Sequence, residues 1–527
     1  MTRGSDRFGM LKKVSFCLVI LGVTLEMAYA NDVVIEVSPK WEDVERISKT
    51  YISMQVCVEP PMRRGSPIHD RLFDAIKNLK AEYVRFQPWR PYPRLAVAEL
   101  YPPENGKTSW DFSLIDPLVE DFMDASEGRH VIFTFGTIPS WMLKTPKPDE
   151  IPRDPNEISW SYGMARDFTD FHLTVKLFAA YQARLAQWYL VGGFKDEYGH
   201  WHESGHHYRN VAYWGILNEP GAEHELTPQQ YVEVYDAVVH AVRKVAPNMR
   251  FIGLSDDNVW VNRTLPENFS YFLKKENHLP ETPLDAIAYH YYGNPDADET
   301  AQTMQYTSFK EADRLLTAAS FVEVIRRAFA PTSKTIIEEL GGSLLPWDAT
   351  VRQVARHPID PAYWNLSGAM WAYLYGNLVG IGIDMLLGSE LIDYPGQAPT
   401  STLVDWNTGV PNARYWVLEL LHDHLKPGTK IVAYPAVDDT AVTEPDDVLS
   451  RATAKLYFRA FITPEGERKV LLVNKRNEPI RVRVSGADRG HVDVVDQAKS
   501  NGIDRRDING EQIDLLGFAV AIVTLRS

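Results

Sequence analysis

Between Thr50 and Leu387 the chain alternates short, apolar, β-rich runs with longer stretches of helical period. The runs are Thr50–Val58, Ala81–Phe86, His130–Phe135, Val211–Leu217, Arg250–Leu254, Leu284–Tyr289, Lys334–Glu339 and Ile381–Leu387. Between them, Asp70–Lys80, Ile115–Ala125, Phe171–Leu190, Pro228–Val245, Glu311–Ala328 and Ala362–Leu378 repeat their apolar residues at helical spacing. Strand and helix in strict alternation specify parallel strands joined by crossover helices. Eight such repeats predict one closed (β/α)8 barrel over residues 49–425, an α/β fold with long rim loops, rather than an open doubly wound sheet. No glycine-rich phosphate loop follows the first run, which argues against a nucleotide site.

Past Lys426 the period changes. Lys455–Phe461, Lys469–Asn474, Ile480–Val484 and Phe518–Leu525 are short alternating runs separated by turn residues, so residues 426–527 are expected to form a C-terminal antiparallel β-sandwich packed closely on the barrel. Asp32–Val37 also reads as a strand, and residues 31–48 are expected to cross over and pair with the sandwich edge. The first 30 residues read as a signal peptide. Lys12 and Lys13 precede the apolar stretch Val14–Leu25, and Ala28-Tyr29-Ala30 supplies a small-x-small cleavage site, implying export to the periplasm or beyond. That stretch is too short to span a bilayer, and no later run would. Cleavage removes Cys17 and leaves Cys57 without a partner for an internal disulfide.

Composition narrows the function. With 527 residues, 45% of them hydrophobic, the chain can bury a large core, and a net charge of -15 argues against a nucleic-acid partner. The candidate chemistry lies in two segments, Tyr213-Trp214-Gly215-Ile216-Leu217-Asn218-Glu219-Pro220 and Thr335-Ile336-Ile337-Glu338-Glu339-Leu340-Gly341-Gly342. Each places a carboxylate at the C-terminal end of its own strand, and in a barrel all those ends open onto one face. Two converging carboxyls suit cleavage of the acetal between two sugars: one protonates the departing oxygen and the other attacks or stabilises the anomeric centre. Asn218, beside the acid, is placed to hydrogen-bond a sugar 2-hydroxyl, and Pro220 ends the strand. Successive strand residues point to opposite sides, so one of Glu338 and Glu339 is expected to face the barrel mouth and the other not. Gly341 allows close backbone approach beyond Glu339, which favours Glu339 as the nucleophile and Glu338 as a salt-bridged neighbour; the reverse assignment stays open. Most of the 14 Trp, 25 Tyr and 21 Phe fill the core, and a few can serve as sugar-stacking platforms.

On these segments the chain resembles the retaining glycoside hydrolases of clan A, and within them glycoside hydrolase family 39, which includes β-xylosidases and α-L-iduronidases. The resemblance covers roughly Asp32–Ser527. Asn218-Glu219 matches the family's acid/base motif, and Glu339 matches its nucleophile on the seventh strand, with Glu338 where the family usually has Thr. It implies further roles. Arg85 holds the nucleophile ionised, Trp141 in Pro139-Ser140-Trp141 walls the first sugar subsite, His290 lies near the acid/base, and Tyr292, or else Tyr291, contacts the nucleophile. Asp405–Gly409 and Arg414–Trp416 match the final loop and helix and read as packing. The implied reaction is double displacement on a carbohydrate, with retention and with no metal or organic cofactor. Xylosides head the substrate list, followed by α-L-arabinosides, β-galactosides and uronic-acid sugars; the oligomeric state is left open.

Two other readings compete. A catalytically dead barrel could bind carbohydrate, although both carboxylates keep their strand-end positions. His200, His202, His206 and His207 with Glu203 could hold a metal for hydrolysis, but Gly205 marks a loop there, and a loop entering the rim to bind sugar hydroxyls is the better expectation. Arg90, Arg94 and Lys195 either recognise an acidic sugar or are simply solvated.

Overall fold

The structure is a computed structural model that describes residues 34–143, 149–164, 170–257, 265–293, 301–342, 361–393, 401–433, 454–499 and 501–526. The signal segment lies outside them. Among the described residues no helix is long and apolar enough to cross a membrane.

Each of the eight apolar runs carries a barrel strand. In chain order these are β3 (Tyr51–Val58), β4 (Tyr83–Pro88), β5 (His130–Phe133), β8 (Val211–Gly215), β9 (Arg250–Asp256), β10 (Ala286–Gly293), β11 (Lys334–Gly342) and β12 (Met385–Gly388). Neighbours pair in parallel and β12 closes on β3. The barrel interior is a plug of alternate side chains, Tyr83, Ile132, Tyr213, Ile252, Ala286, Ala288, Ile336, Met385 and Leu387. The period of two then fixes what lies above it: Arg85 follows Tyr83, His290 follows Ala288 and Glu338 follows Ile336 on the inward face. A charged layer therefore sits one step above an apolar one, toward the strand C-termini.

Helices cover the outside. His69–Leu79 buries Leu72, Phe73, Ala75, Ile76 and Leu79 at helical spacing. Pro228–Arg243 begins where Thr227 and Gln230 form a reciprocal capping box, with Pro228 in the first turn, where its missing N–H costs no bond.

The C-terminal unit consists of two sheets. A seven-stranded sheet runs β18 (Asp504–Asp507), β17 (His491–Val495), β20 (Val520–Thr524), β15 (Arg468–Asn474), β14 (Leu456–Ile462), β13 (Lys430–Val432) and β2 (Val44–Ile47). A three-stranded sheet runs β1 (Val34–Val37), β16 (Ile480–Val484) and β19 (Gln512–Leu515). In β15, Val470 and Leu472 pack between the sheets while Leu471 and Val473 join the core shared with the barrel helices. Covered on both faces, this strand reads as an unbroken apolar run. The N-terminal strand β1 does pair with the sandwich, parallel to β16. The chain then adds a second strand, β2, to the edge of the larger sheet through β13 before entering the barrel.

Candidate active site

The seventh strand does not keep the expected alternation. Ile337 pairs with Tyr289 and Glu339 with His290, so Glu338 is an extra residue against β10. On the other side Ile337 pairs with Leu386 and Leu340 with Gly388, leaving Glu338 and Glu339 opposite Leu387 alone. This is a β-bulge, which re-aims side chains by inserting one residue. The expectation that only one of the two glutamates faces inward is thereby corrected. Arg85 Nη1 donates to Glu339 Oε1 at 2.8 Å, and its Nε lies 3.4 Å from Glu338 Oε2. One guanidinium holds both.

Arg85 and Glu338 are 0% exposed at their side chains, Glu339 9% and Glu219 24%. Burial pushes the Glu338 carboxyl up, but Arg85 and His290 outweigh it and hold the group below the usual carboxylate range. Burial likewise opposes the charge of Arg85, and the two glutamates more than restore it. Arg85 Nη2 also donates to Asn218 Oδ1 at 2.8 Å, while Asn218 Nδ2 donates to Glu223 Oε1 at 3.3 Å. Those two bonds fix which way the Asn218 amide faces. Gly136 makes room for it, since a Cβ there would stand 2.8 Å from the Asn218 nitrogen.

Glu219 leaves β8 through a tight turn. Leu217 (φ 62) and Glu219 (φ 42) both take left-handed backbone, and the Glu219 N–H donates to Ser255 O across the barrel rim. Non-glycine residues rarely stay in that region unless their surroundings hold them, and such residues cluster at functional sites. His290 bridges the carboxyls: Nδ1 lies 2.8 Å from Glu219 Oε1 and 3.3 Å from Glu339 Oε2, and Nε2 lies 3.4 Å from Glu338 Oε1. Burial works against its proton, yet the charge of Glu339 and the hydrogen bonds to Glu219 and Glu338 push its pKa up to about 10. One oxygen from Glu219, one from Glu339 and a His290 nitrogen lie within 4.8 Å of one another.

Tyr292 donates to Glu339 Oε2 at 2.7 Å and pairs with Ser389 Oγ at 2.6 Å. Tyr291 points the other way and is fully buried, with Glu311 and Arg314 as its charged neighbours. Gly341 does allow a close approach: a Cβ there would stand 3.0 Å from the Tyr292 ring and 3.1 Å from Ser389 O. Trp141 is half-buried on the core and donates its indole N–H to Glu99 O at 2.9 Å. Of the residues singled out in the sequence, Arg85, Asn218, Glu219, His290, Tyr292 and Glu339 thus form one connected cluster, and Trp141 stands outside it.

The histidine-rich loop does not enter the rim. It is a hairpin of β6 (Gly193–Lys195) and β7 (Trp201–Glu203), in which His200 and His202 are held by Asp196 and His206 by Asp116 and the Tyr189 ring. Arg90 donates to Trp160 O and Tyr162 O, Arg94 to Pro152 O, and Lys195 is exposed on the hairpin. Arg414 braces the end of β12 through Ser389 O and Thr402 O, in keeping with a packing role.

Several site residues escaped the sequence. Gln55 reaches Glu339 Oε1 at 3.4 Å and also holds Gln87. Glu223, in the short helix Pro220–His224, is pushed up to about 8 by burial, against the nearby Arg90 and with the added repulsion of Glu219. Ser389 directly follows the last strand, in Gly388-Ser389-Glu390, where the sequence does not distinguish it from the polar residues around it. The available signal was a polar residue in the C-terminal half of each strand, Gln55 in β3 and Gln87 in β4, since polar residues in otherwise apolar barrel runs face the rim.

A family model for the D-apionate lactonase C-terminal immunoglobulin-like domain matches residues 459–523, within the sandwich. No curated protein matches the chain. Among solved structures the chain is similar to a glucosidase from Croceicoccus marinus, at 15% identity and a TM-score of 0.54, covering 94% of this chain and 100% of that one. It is similar to a family 51 α-L-arabinofuranosidase from Bifidobacterium longum at 11% identity and a TM-score of 0.59, covering 95% and 100%. A GH30 endoxylanase from Clostridium papyrosolvens aligns at 11% identity and a TM-score of 0.53, covering 94% and 100%. At these identities the likeness shows a shared fold: the chain is a (β/α)8 barrel with a C-terminal β-sandwich, and these three structural neighbours are glycoside hydrolases.

Proposed function

We propose that the protein is a retaining glycoside hydrolase in which Glu219 is the acid/base and Glu339 the nucleophile. The observation that carries this reading is the close approach of two rim carboxyls of unequal surroundings, with oxygens within 4.8 Å. Retaining pairs stand about 5–5.5 Å apart, whereas inverting pairs stand roughly 6.5–9.5 Å apart to admit a water. Glu339 is tied to Arg85 and Tyr292, which suits a group that must stay ionised and aimed. Two cations, Arg85 and His290, face Glu338 and Glu339. Glu219 is the most exposed carboxyl of the cluster, which suits a group that must exchange protons with the leaving oxygen and with water.

In the first half-reaction Glu339 forms a bond to the anomeric carbon while Glu219 gives its proton to the leaving oxygen. Glu219, now ionised and paired with His290, takes a proton from water in the second, and the hydroxide displaces Glu339. Xylosides and α-L-arabinofuranosides head the substrate list. The test is hydrolysis of aryl β-xylosides, α-L-arabinosides, β-glucosides, β-galactosides and α-L-iduronides by the wild type, Glu219→Ala and Glu339→Ala, each with and without azide. Rescue of Glu339→Ala to a glycosyl azide of inverted configuration supports the assignment; a fully active Glu339→Ala beside a dead Glu338→Ala overturns it.

The match of the sandwich to a lactonase family model favours one second reading, hydrolysis of a sugar lactone by the same pair of carboxyls. Proton release from aldonolactones, followed by pH-stat, with no turnover in the glycoside panel would select it.

A further inference from the structure

We propose that Cys57, Glu59 and Glu390 form a binding site for a zinc-class divalent cation at the seam where the last barrel strand closes on the first. Cys57 lies on β3 and Glu59 just after it, while Glu390 follows β12, which pairs with β3. One donor atom from each lies within 4.8 Å of the others. Glu59 is 0% exposed and neither of its oxygens has a hydrogen-bond partner. A buried carboxylate with no partner is costly, and a cation among the three donors removes that cost. The adjacent Asp393 is buried as well, and its charge bears on both Glu59 and Glu390. Arg414, whose charge bears on Glu390, gives its hydrogen bonds to the carbonyls of Ser389 and Thr402.

A thiolate in the donor set selects zinc over calcium or magnesium, which take oxygen ligands. Bonds of about 2.3 Å to sulfur and 2.0–2.2 Å to oxygen are within reach of donors that already lie within 4.8 Å of one another. Glu390 is partly exposed and gives the ion its entry path. On binding, the Cys57 thiol and any protonated carboxyl among the three donors release their protons to solvent, and the sulfur and carboxylate oxygens join the metal with no change of oxidation state. The ion would fix Glu390 beside Ser389, whose hydroxyl meets Tyr292 on the nucleophile, so it would act on catalysis as a positioning element.

Cobalt is the probe. The chain carries two cysteines, so in a Cys17→Ser background any thiolate-to-cobalt charge-transfer band in the near ultraviolet reports Cys57. The full chain is stripped with chelator, titrated with Co2+ and then with Zn2+, and its metal counted by mass spectrometry. The expected result is one equivalent of cobalt with a thiolate band that zinc abolishes. Cys57→Ser should lose the band, and Glu59→Gln should weaken uptake by at least the roughly 10- to 100-fold that even an outer partner of a metal ligand is worth. The wild-type titration decides the matter even where a variant fails to fold. No uptake, or uptake without a thiolate band, overturns the proposal; binding by Glu219, His290 and Glu339 would give that bandless spectrum.

Discussion

His290 should remain an imidazolium well above neutral pH. Burial disfavours its charge, but Glu339, Glu219 and Glu338 raise its pKa from 6.5 to about 10. A rise of about 3.5 units corresponds to about 5 kcal/mol at about 1.4 kcal/mol per unit. Because the folded value lies above the unfolded one, this contribution is fully present below about pH 6.5 and is lost as pH rises through about 10. Glu338→Gln removes one of the three carboxylates, and an opposite charge at this range is worth about 1–3 units, so the His290 pKa should fall by that amount. The assay is NMR of protein labelled at histidine Cε1, with the resonance assigned by its loss in His290→Gln. Denaturant unfolding of the wild type and His290→Gln between pH 6 and 10 gives the energetic counterpart: the gap between them should close as pH rises. A His290 signal that titrates at or below about 6.5 would refute the reading of His290 as the cation that these glutamates hold.

Other perturbations test the same layer. Arg85→Met leaves Glu338 and Glu339 buried without their shared cation and should cost about 3–5 kcal/mol of stability along with nearly all activity, read by thermal unfolding and kcat/KM. Tyr292→Phe removes one bond to a charged oxygen, about 1.5–3 kcal/mol, so kcat should fall roughly 10- to 150-fold with the fold intact. Gly136→Ala drives a methyl against the Asn218 backbone; it should cost about 1–3 kcal/mol of stability and lower kcat/KM by displacing Asn218 and Glu219. Asn218→Ala should cost more on substrates bearing a 2-hydroxyl than on their 2-deoxy analogues, which a paired kinetic comparison would show.

The barrel was legible because buried parallel strands and amphipathic helices write different periods, and all eight runs fall on strands. The sandwich was read only in part. β18, Asp-Arg-Arg-Asp, has no apolar residue and pairs only along one edge, and β2 and β13 are short strands whose place is set by distant partners. Within the site, Asn218-Glu219 stood out because a polar pair ends an apolar run. Arg85 and His290 were reachable from alternation, since each sits two residues beyond a small or aromatic plug residue. The bulge at Glu338 was not, because an inserted residue is visible only against the registers of β10 and β12. For the same reason, the meeting of Cys57 and Glu59 with Glu390 appears only once the barrel closes.

The most direct test of the central claim is to trap the reaction halfway. A 2-deoxy-2-fluoro aryl glycoside of the best sugar in the panel slows release of the glycosyl-enzyme, and peptide mapping by mass spectrometry then locates the label. The account predicts one sugar per chain on Glu339. A label on Glu338, or turnover to the inverted anomer with no covalent adduct, would contradict it.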